Sequence, residues 1–208
     1  MFKSKKTEHG YQQITRRRFM QLSAATTAIL MGEAALPGTS WSADGNILRI
    51  RLYSDILTLD PAYTKSKNED IVNGCLQNKL IAFKPGDKWE WEPEAAEYMK
   101  QVSPTRIEFK LKKGIMFSGG FGEMTTEDVK YSYERIADPK TKSPYASDWS
   151  LMEKIEIIDK YKAVIVLSKP FAPMWMTSLP GSSGTILSKK AMMSVGEKFT
   201  TQPPACSG

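Results

Sequence analysis

Residues 106–112 read Arg106-Ile107-Glu108-Phe109-Lys110-Leu111-Lys112, an unbroken alternation of charged and large apolar side chains. Successive side chains of a strand point to opposite faces, so Ile107, Phe109 and Leu111 share one face and the charges share the other. A chain with such a strand must cover its apolar face. The candidate partners lie downstream. Residues 155–158 and 163–167, split by Asp159-Lys160-Tyr161-Lys162, predict a hairpin. Thr125 predicts a helix cap with Asp128 at the third helical position, opening a helix to about Ala137 that buries Val129, Ser132, Tyr133 and Ile136.

The remaining segments fill in around these. Residues 47–53, I-L-R-I-R-L-Y, suit a strand buried mainly on one face, stopped by Asp60-Pro61. Residues 68–81 place Ile71, Val72, Cys75, Leu76 and Leu80 at helical spacing, with Glu69 and Asp70 in the first turn, where they favour the helix dipole. Lys84-Pro85-Gly86-Asp87 is a turn, and Pro93 suits the first position of a short helix over residues 94–98. An apolar helical turn over residues 174–179, a short strand over 185–187 and a helix opened by Ser188 follow. Residues 200–208, T-T-Q-P-P-A-C-S-G, predict no regular structure, so the chain stops in a loop and truncation is the expectation. Trp89, Trp91, Trp149 and Trp175, with Met174, Met176, Met192 and Met193, read as core rather than as a ligand pocket.

The formal charge of +6 invites a nucleic-acid reading until it is divided at Ala43. Residues 1–43 hold six Lys/Arg against two Asp/Glu, which leaves a body of only +2 with no clustered basic stripe. A nucleic-acid partner is therefore not expected. The leader runs from a basic stretch through a weakly apolar one containing Glu33 to small residues at Thr39, Ser40, Ser42 and Ala43, the order of a secretory signal rather than of an anchor. Its junction, Thr15-Arg16-Arg17-Arg18-Phe19-Met20, resembles the twin-arginine export signal, with Arg16, Arg17 and Phe19 as the residues read by the Tat machinery. Cleavage is expected near residues 42–44, which implies a periplasmic product.

The only histidine, His9, lies in that leader. Ser-His-Asp triads, Cys-His pairs and His-ligated metals are thereby excluded from the body, and no catalytic residue, cofactor or metal is expected. Cys75 and Cys206 belong to no C-x-x-C pair and read as two buried apolar thiols; a disulfide between them in an oxidising compartment is the alternative. Glu123, Glu127 and Asp128 read as helix-capping carboxylates rather than acid-base groups.

Taken in order, several motifs resemble the family 5 extracellular solute-binding proteins, the dipeptide- and oligopeptide-binding components of bacterial ABC importers. They are Thr58-Leu59-Asp60-Pro61-Ala62, Glu92-Pro93-Glu94-Ala95-Ala96-Glu97, the segment 107–117 ending Lys113-Gly114-Ile115-Met116-Phe117, and Thr126-Glu127-Asp128-Val129 running on to Arg135. Asp138-Pro139-Lys140, Lys169-Pro170-Phe171-Ala172-Pro173 and Ile186-Leu187-Ser188-Lys189-Lys190-Ala191-Met192 continue the series. The chain departs at two loops, Ser118-Gly119-Gly120 and Ser103-Pro104-Thr105, and in length, because members are more than twice as long.

The resemblance implies an α/β fold of the periplasmic-binding-protein type II, two-lobed kind, with only part of lobe 1 and its inserted subdomain present. Residues 44–62 would be the first strand and loop of lobe 1, residues 63–180 the inserted α+β subdomain, and residues 181–208 a truncated return to lobe 1. It implies a peptide or other small solute as ligand and the membrane permease subunits of an ABC importer as partners. It also implies that lobe 1 meets the ligand through the loop after the first strand, here Tyr53, Ser54, Asp55, Ile56 and Leu57. Two rival classes remain, a Tat-exported enzyme and a cell-envelope interaction module without ligand binding.

Overall fold

The computed structural model describes residues 50–207. Helix α1 (Lys67–Leu76) comes first, then strands β1 (Ile81–Phe83), β2 (Trp91–Pro93), β3 (Ala96–Ser103), β4 (Arg106–Leu111), β5 (Met116–Phe117) and β6 (Gly122–Glu123). Helix α2 (Thr126–Ala137), strands β7 (Met152–Ile157) and β8 (Lys162–Leu167) and helix α3 (Lys189–Ser194) complete the order, with short 3-10 turns between them.

The alternating segment becomes β4, at the centre of a four-stranded antiparallel sheet ordered β3-β4-β8-β7. Ile107 faces Ile165 and Phe109 faces Ala163 across the β4–β8 ladder, and Ile155 joins Ile165 from β7. These side chains are buried against α2. The opposite face carries charges at the alternate positions, with Arg106 to Glu156 at 2.5 Å, Lys162 to Glu108 at 3.1 Å and Lys110 to Glu97 at 2.8 Å. Exposed ion pairs of this kind add little stability each. Val164 and Val166 are buried on this face, where long charged side chains cover apolar surface with their stems.

Helix α2 forms as its cap sequence dictates. Thr125 N and Thr125 Oγ1 both donate to Asp128 Oδ2, at 2.8 and 2.9 Å, and Val129, Ser132, Tyr133 and Ile136 are buried. The other oxygen, Asp128 Oδ1, accepts from Lys189 N at 2.9 Å, so one carboxylate stabilises the starts of α2 and α3. Ser188 caps α3 by accepting from Ala191 N. Tyr133 packs on the fully buried Trp149, with centroids 4.2 Å apart, and donates its hydroxyl to Gly184 O at 3.1 Å.

Seven expectations are corrected. Residues 94–98 are not a helix: Glu94, Ala95 and Ala96 donate their amides to Leu80, Lys79 and Leu80 carbonyls, and β3 then pairs with β4, so ladder hydrogen bonds override the proline cue. Helix α1 ends at Leu76 rather than Ile81. Gln77 closes it, with its side chain donating to Ala205 O and Asn78 N donating to Ser207 Oγ, and Ile81 enters a strand. The fully buried residues of α1 are polar, Asn68, Glu69 and Asn73; of the expected apolar face Val72 and Leu76 are half-buried on the Leu59–Phe199 cluster, while Ile71 and Cys75 are exposed. The two thiols are accordingly free and unburied, Cys75 exposed and Cys206 half-buried. Of the expected first strand, residues 47–49 lie outside the described residues and residues 50–53 form none, since no described strand offers them a ladder. Trp149, Met174 and Met192 are core as expected, whereas Trp89 is 79% exposed beside Phe83 on the β1–β2 hairpin and Met193 is exposed. Around Thr185 the expected strand reduces to a single bridge with Lys79.

Glu123 caps no helix. It accepts from Lys160 Nζ at 2.7 Å, Gly114 N at 2.6 Å and Tyr161 Oη at 2.8 Å, and the Lys160 ammonium foremost holds its carboxyl down to about 2. A folded-state value below the unfolded 4.5 means stability that is fully present above pH 4.5 and is lost as pH falls toward 2. Glu123→Gln should therefore flatten the acid limb of a pH-dependent urea titration between those limits while leaving the protein's neutral-pH fold intact. An unchanged acid limb would show that this carboxylate is not linked to folding.

Candidate functional site

The loop expected to meet ligand sits on the first turn of α1. Helix α1 opens with a capping box: Ser66 accepts from Glu69 N at 3.3 Å, and Glu69 Oε2 accepts from Ser66 N at 3.0 Å and Lys65 N at 2.6 Å. The second carboxylate oxygen reaches back along the chain. Glu69 Oε1 accepts from Leu57 N at 3.2 Å and Thr58 N at 3.1 Å. Burial alone would raise the carboxyl of Glu69, which is 1% exposed, but the four backbone N–H donors outweigh it and hold the group below the usual carboxylate range. Next to it Asn68 is fully buried and spends both amide hydrogens on Ser54, at 3.0 Å to the carbonyl and 2.7 Å to the hydroxyl.

This anchoring leaves the loop's other groups outward. Tyr53 and Leu57 are 78% and 77% exposed, Asp55 is exposed, and Ile56 packs on a small apolar cluster of Leu59, Leu187, Met192 and Phe199. Beside the loop lies a cleft of about 290 Å³ lined by Leu57, Thr58, Tyr63, Lys65, Lys198 and Phe199, with Glu69 and Thr200. The Lys198 ammonium lies 4.4 Å from the Tyr63 ring centroid, a cation–π contact.

Below the loop the incoming and outgoing segments meet. Leu59 N donates to Thr200 O at 2.6 Å. Asp60, fully buried, receives both arms of Arg135, at 2.8 and 2.6 Å, and its Oδ1 also accepts from Ala62 N at 3.1 Å. Arg135 Nη2 donates further to Glu197 O at 2.7 Å, on a residue with φ of 63°. One guanidinium thus joins the Thr58-Leu59-Asp60 motif, helix α2 and the segment leading to Thr200.

Of the five expected loop residues only Leu57 lines this cleft; Tyr53, Ser54 and Asp55 are exposed on the same short segment, and Ile56 packs inward. Arg16, Arg17 and Phe19 lie outside the described residues. Asn68, Glu69, the Asp60–Arg135 pair and Lys198 were not foreseen as parts of the site. Ser66-Lys67-Asn68-Glu69 carries the S-x-x-E signal of a capping box and would have flagged Glu69; nothing local flags Arg135. Among the described residues no three His, Cys, Asp or Glu side chains converge as a metal-binding group. What the arrangement offers chemically is recognition: an exposed carboxylate, an aromatic and an aliphatic side chain on a pinned backbone, next to a cleft rimmed by ammonium groups.

Residues 90–208 match the bacterial extracellular solute-binding proteins, family 5 Middle. The chain is 30% identical over 146 residues to di/tripeptide-binding protein 2 of Pseudomonas aeruginosa, covering 62% of this chain and 27% of that one. It is 26% identical over 211 residues to the periplasmic oligopeptide-binding protein OppA of Escherichia coli, covering 88% of this chain and 37% of that one. Among solved structures, MoaA of A. tumefaciens R10 in complex with mannopinic acid superposes with a TM-score of 0.68 at 27% identity, over 74% of this chain and 31% of MoaA. The chain thus spans roughly a third of the length of the relatives it matches.

Proposed function

The chain belongs to the bacterial extracellular solute-binding proteins of family 5 and carries part of their type II periplasmic-binding fold, and from that premise we propose that it is the solute-capturing component of an ABC importer. Its ligand is a peptide or a similar small solute, met through Tyr53, Ser54, Asp55, Ile56 and Leu57. The observation that carries this reading is the loop itself. Backbone and side-chain hydrogen bonds to α1 hold it in place, yet Tyr53, Asp55 and Leu57 are exposed, Leu57 on the wall of a cleft. In two-lobed binders a ligand contacts both lobes and stabilises closure. Peptide main chains need such fixed hydrogen-bonding edges, and Asp55 suits an amino group.

Residues 44–62 and 181–208 serve as lobe 1 and residues 63–180 as the inserted subdomain; the Leu59–Thr200 hydrogen bond, which joins the flanking segments, supports this division. The leader exports the chain by the twin-arginine route to the periplasm, the location that the name of the Escherichia coli relative carries. Permease subunits are the membrane partners.

Ligand-induced thermal stabilisation tests the reading, with trialanine and mannopinic acid as probes. Free ligand at about ten times its dissociation constant stabilises by about 1.4 kcal/mol. For a chain of this size that raises the melting temperature by roughly 3–6 °C. Asp55→Ala should abolish most of the shift. A shift of equal size in Asp55→Ala, or none with either probe, contradicts capture at this loop.

A further inference from the structure

We infer that Asn68 and Glu69 are positioning residues for the capture loop: together they fix the Ser54 and the Leu57–Thr58 backbone so that Tyr53, Asp55 and Leu57 face outward in one arrangement. The inference rests on the capture reading above and adds to it the residues that make the loop rigid.

Three observations carry it. First, helix capping needs only part of what Glu69 provides. Its Oε2 completes the capping box, and Oε1 is free to serve two amides eleven and twelve residues upstream. Second, Asn68 contributes nothing to the cap. Its amide is turned wholly toward Ser54, and Asn68 Oδ1 is buried with no donor among the described residues. A buried orphan acceptor is costly, so a side chain kept in that orientation points to a constraint beyond helix stability. Third, the fully buried residues of α1 are the polar Asn68, Glu69 and Asn73, while its apolar Ile71 is exposed and Val72 and Leu76 are only half-buried. The helix is oriented by what it holds.

Mechanically, the loop would otherwise be a short irregular segment with an exposed backbone, free to sample many conformations. Each fixed residue removes conformational entropy before ligand arrives, so that binding does not have to supply it. Asn68 is fully buried, and Glu69, 1% exposed at the cleft wall, already spends both carboxylate oxygens on backbone N–H groups, so the role assigned to both is positioning.

The test compares amide hydrogen exchange in residues 53–58 of the ligand-free chain for Glu69→Gln, Asn68→Ala and Ser66→Ala. Ser66→Ala is the control, since it removes a cap from the same helix start without touching the loop. Glu69→Gln cannot accept from four N–H groups, and Asn68→Ala releases Ser54. Loop amides should exchange about tenfold faster or more in these two variants and at the wild-type rate in Ser66→Ala. The stabilisation by trialanine or mannopinic acid should fall in step. If all three variants loosen the loop equally, Asn68 and Glu69 act only through helix stability and the inference is wrong. Faster exchange with an undiminished ligand-induced shift overturns it as well. Should neither probe stabilise the wild-type chain, the capture reading fails, while the exchange comparison still decides the anchoring; Asn68→Ala keeps the test available if Glu69→Gln does not fold.

Discussion

Arg135→Ala is expected to destabilise the protein by about 3–5 kcal/mol, because it strands the fully buried Asp60 carboxylate without its partner. For a chain of this length that lowers the melting temperature by roughly 6–20 °C. The size follows from geometry. Both guanidinium arms reach Asp60, and one continues to Glu197 O, so three stretches of chain lose their common tie at once. The cost is mainly that of an uncompensated charge, which makes a second prediction within the first. Combining Asp60→Asn with Arg135→Met removes both charges and keeps an acceptor for Ala62 N, so the double variant should be more stable than Arg135→Ala alone. Chemical denaturation of the two proteins decides it. A double variant as unstable as the sum of its single substitutions would mean that the pair contributes through shape and not through charge.

The other large effect is in the main core. Trp149→Ala should cost about 3–5 kcal/mol, the range for deleting a buried aromatic side chain. Trp149 is completely buried on Tyr133, at the junction of α2 with the segment around Gly184. Its indole Nε1 is buried with no partner among the described residues, so Trp149→Phe sacrifices volume but relieves an unsatisfied donor and should cost distinctly less than alanine. Equal losses for phenylalanine and alanine, measured by urea unfolding, would contradict the expected relief from removing the unsatisfied donor.

Much of the sheet and of α2 was legible because local rules and tertiary contacts agree there. The alternation of residues 106–112 became the central strand, and the Thr125 and Asp128 cap with Val129, Ser132, Tyr133 and Ile136 became the core helix. The failures have one physical source, partners distant in sequence. Pro93 is a sound helix cue locally, yet Ala95 and Ala96 are claimed by carbonyls of residues 79 and 80. In α1 the apolar periodicity found only Val72 and Leu76, since Asn68 and Glu69 are buried by hydrogen bonds to residues 54, 57 and 58 that no 3.6-residue pattern encodes. Asp60 and Arg135 are 75 residues apart, and neither announces the other. The position of the loop came from family resemblance; its anchoring came only from the fold.

Capture at residues 53–57 is tested most directly by an NMR titration of the isotopically labelled chain with trialanine or mannopinic acid. The amide resonances of residues 53–58 should move first and furthest, with those of Lys198, Phe199 and Thr200 across the cleft following, while the charged face of β4 stays still. Saturating shifts confined to other surfaces, with the resonances of residues 53–58 unmoved, would contradict it.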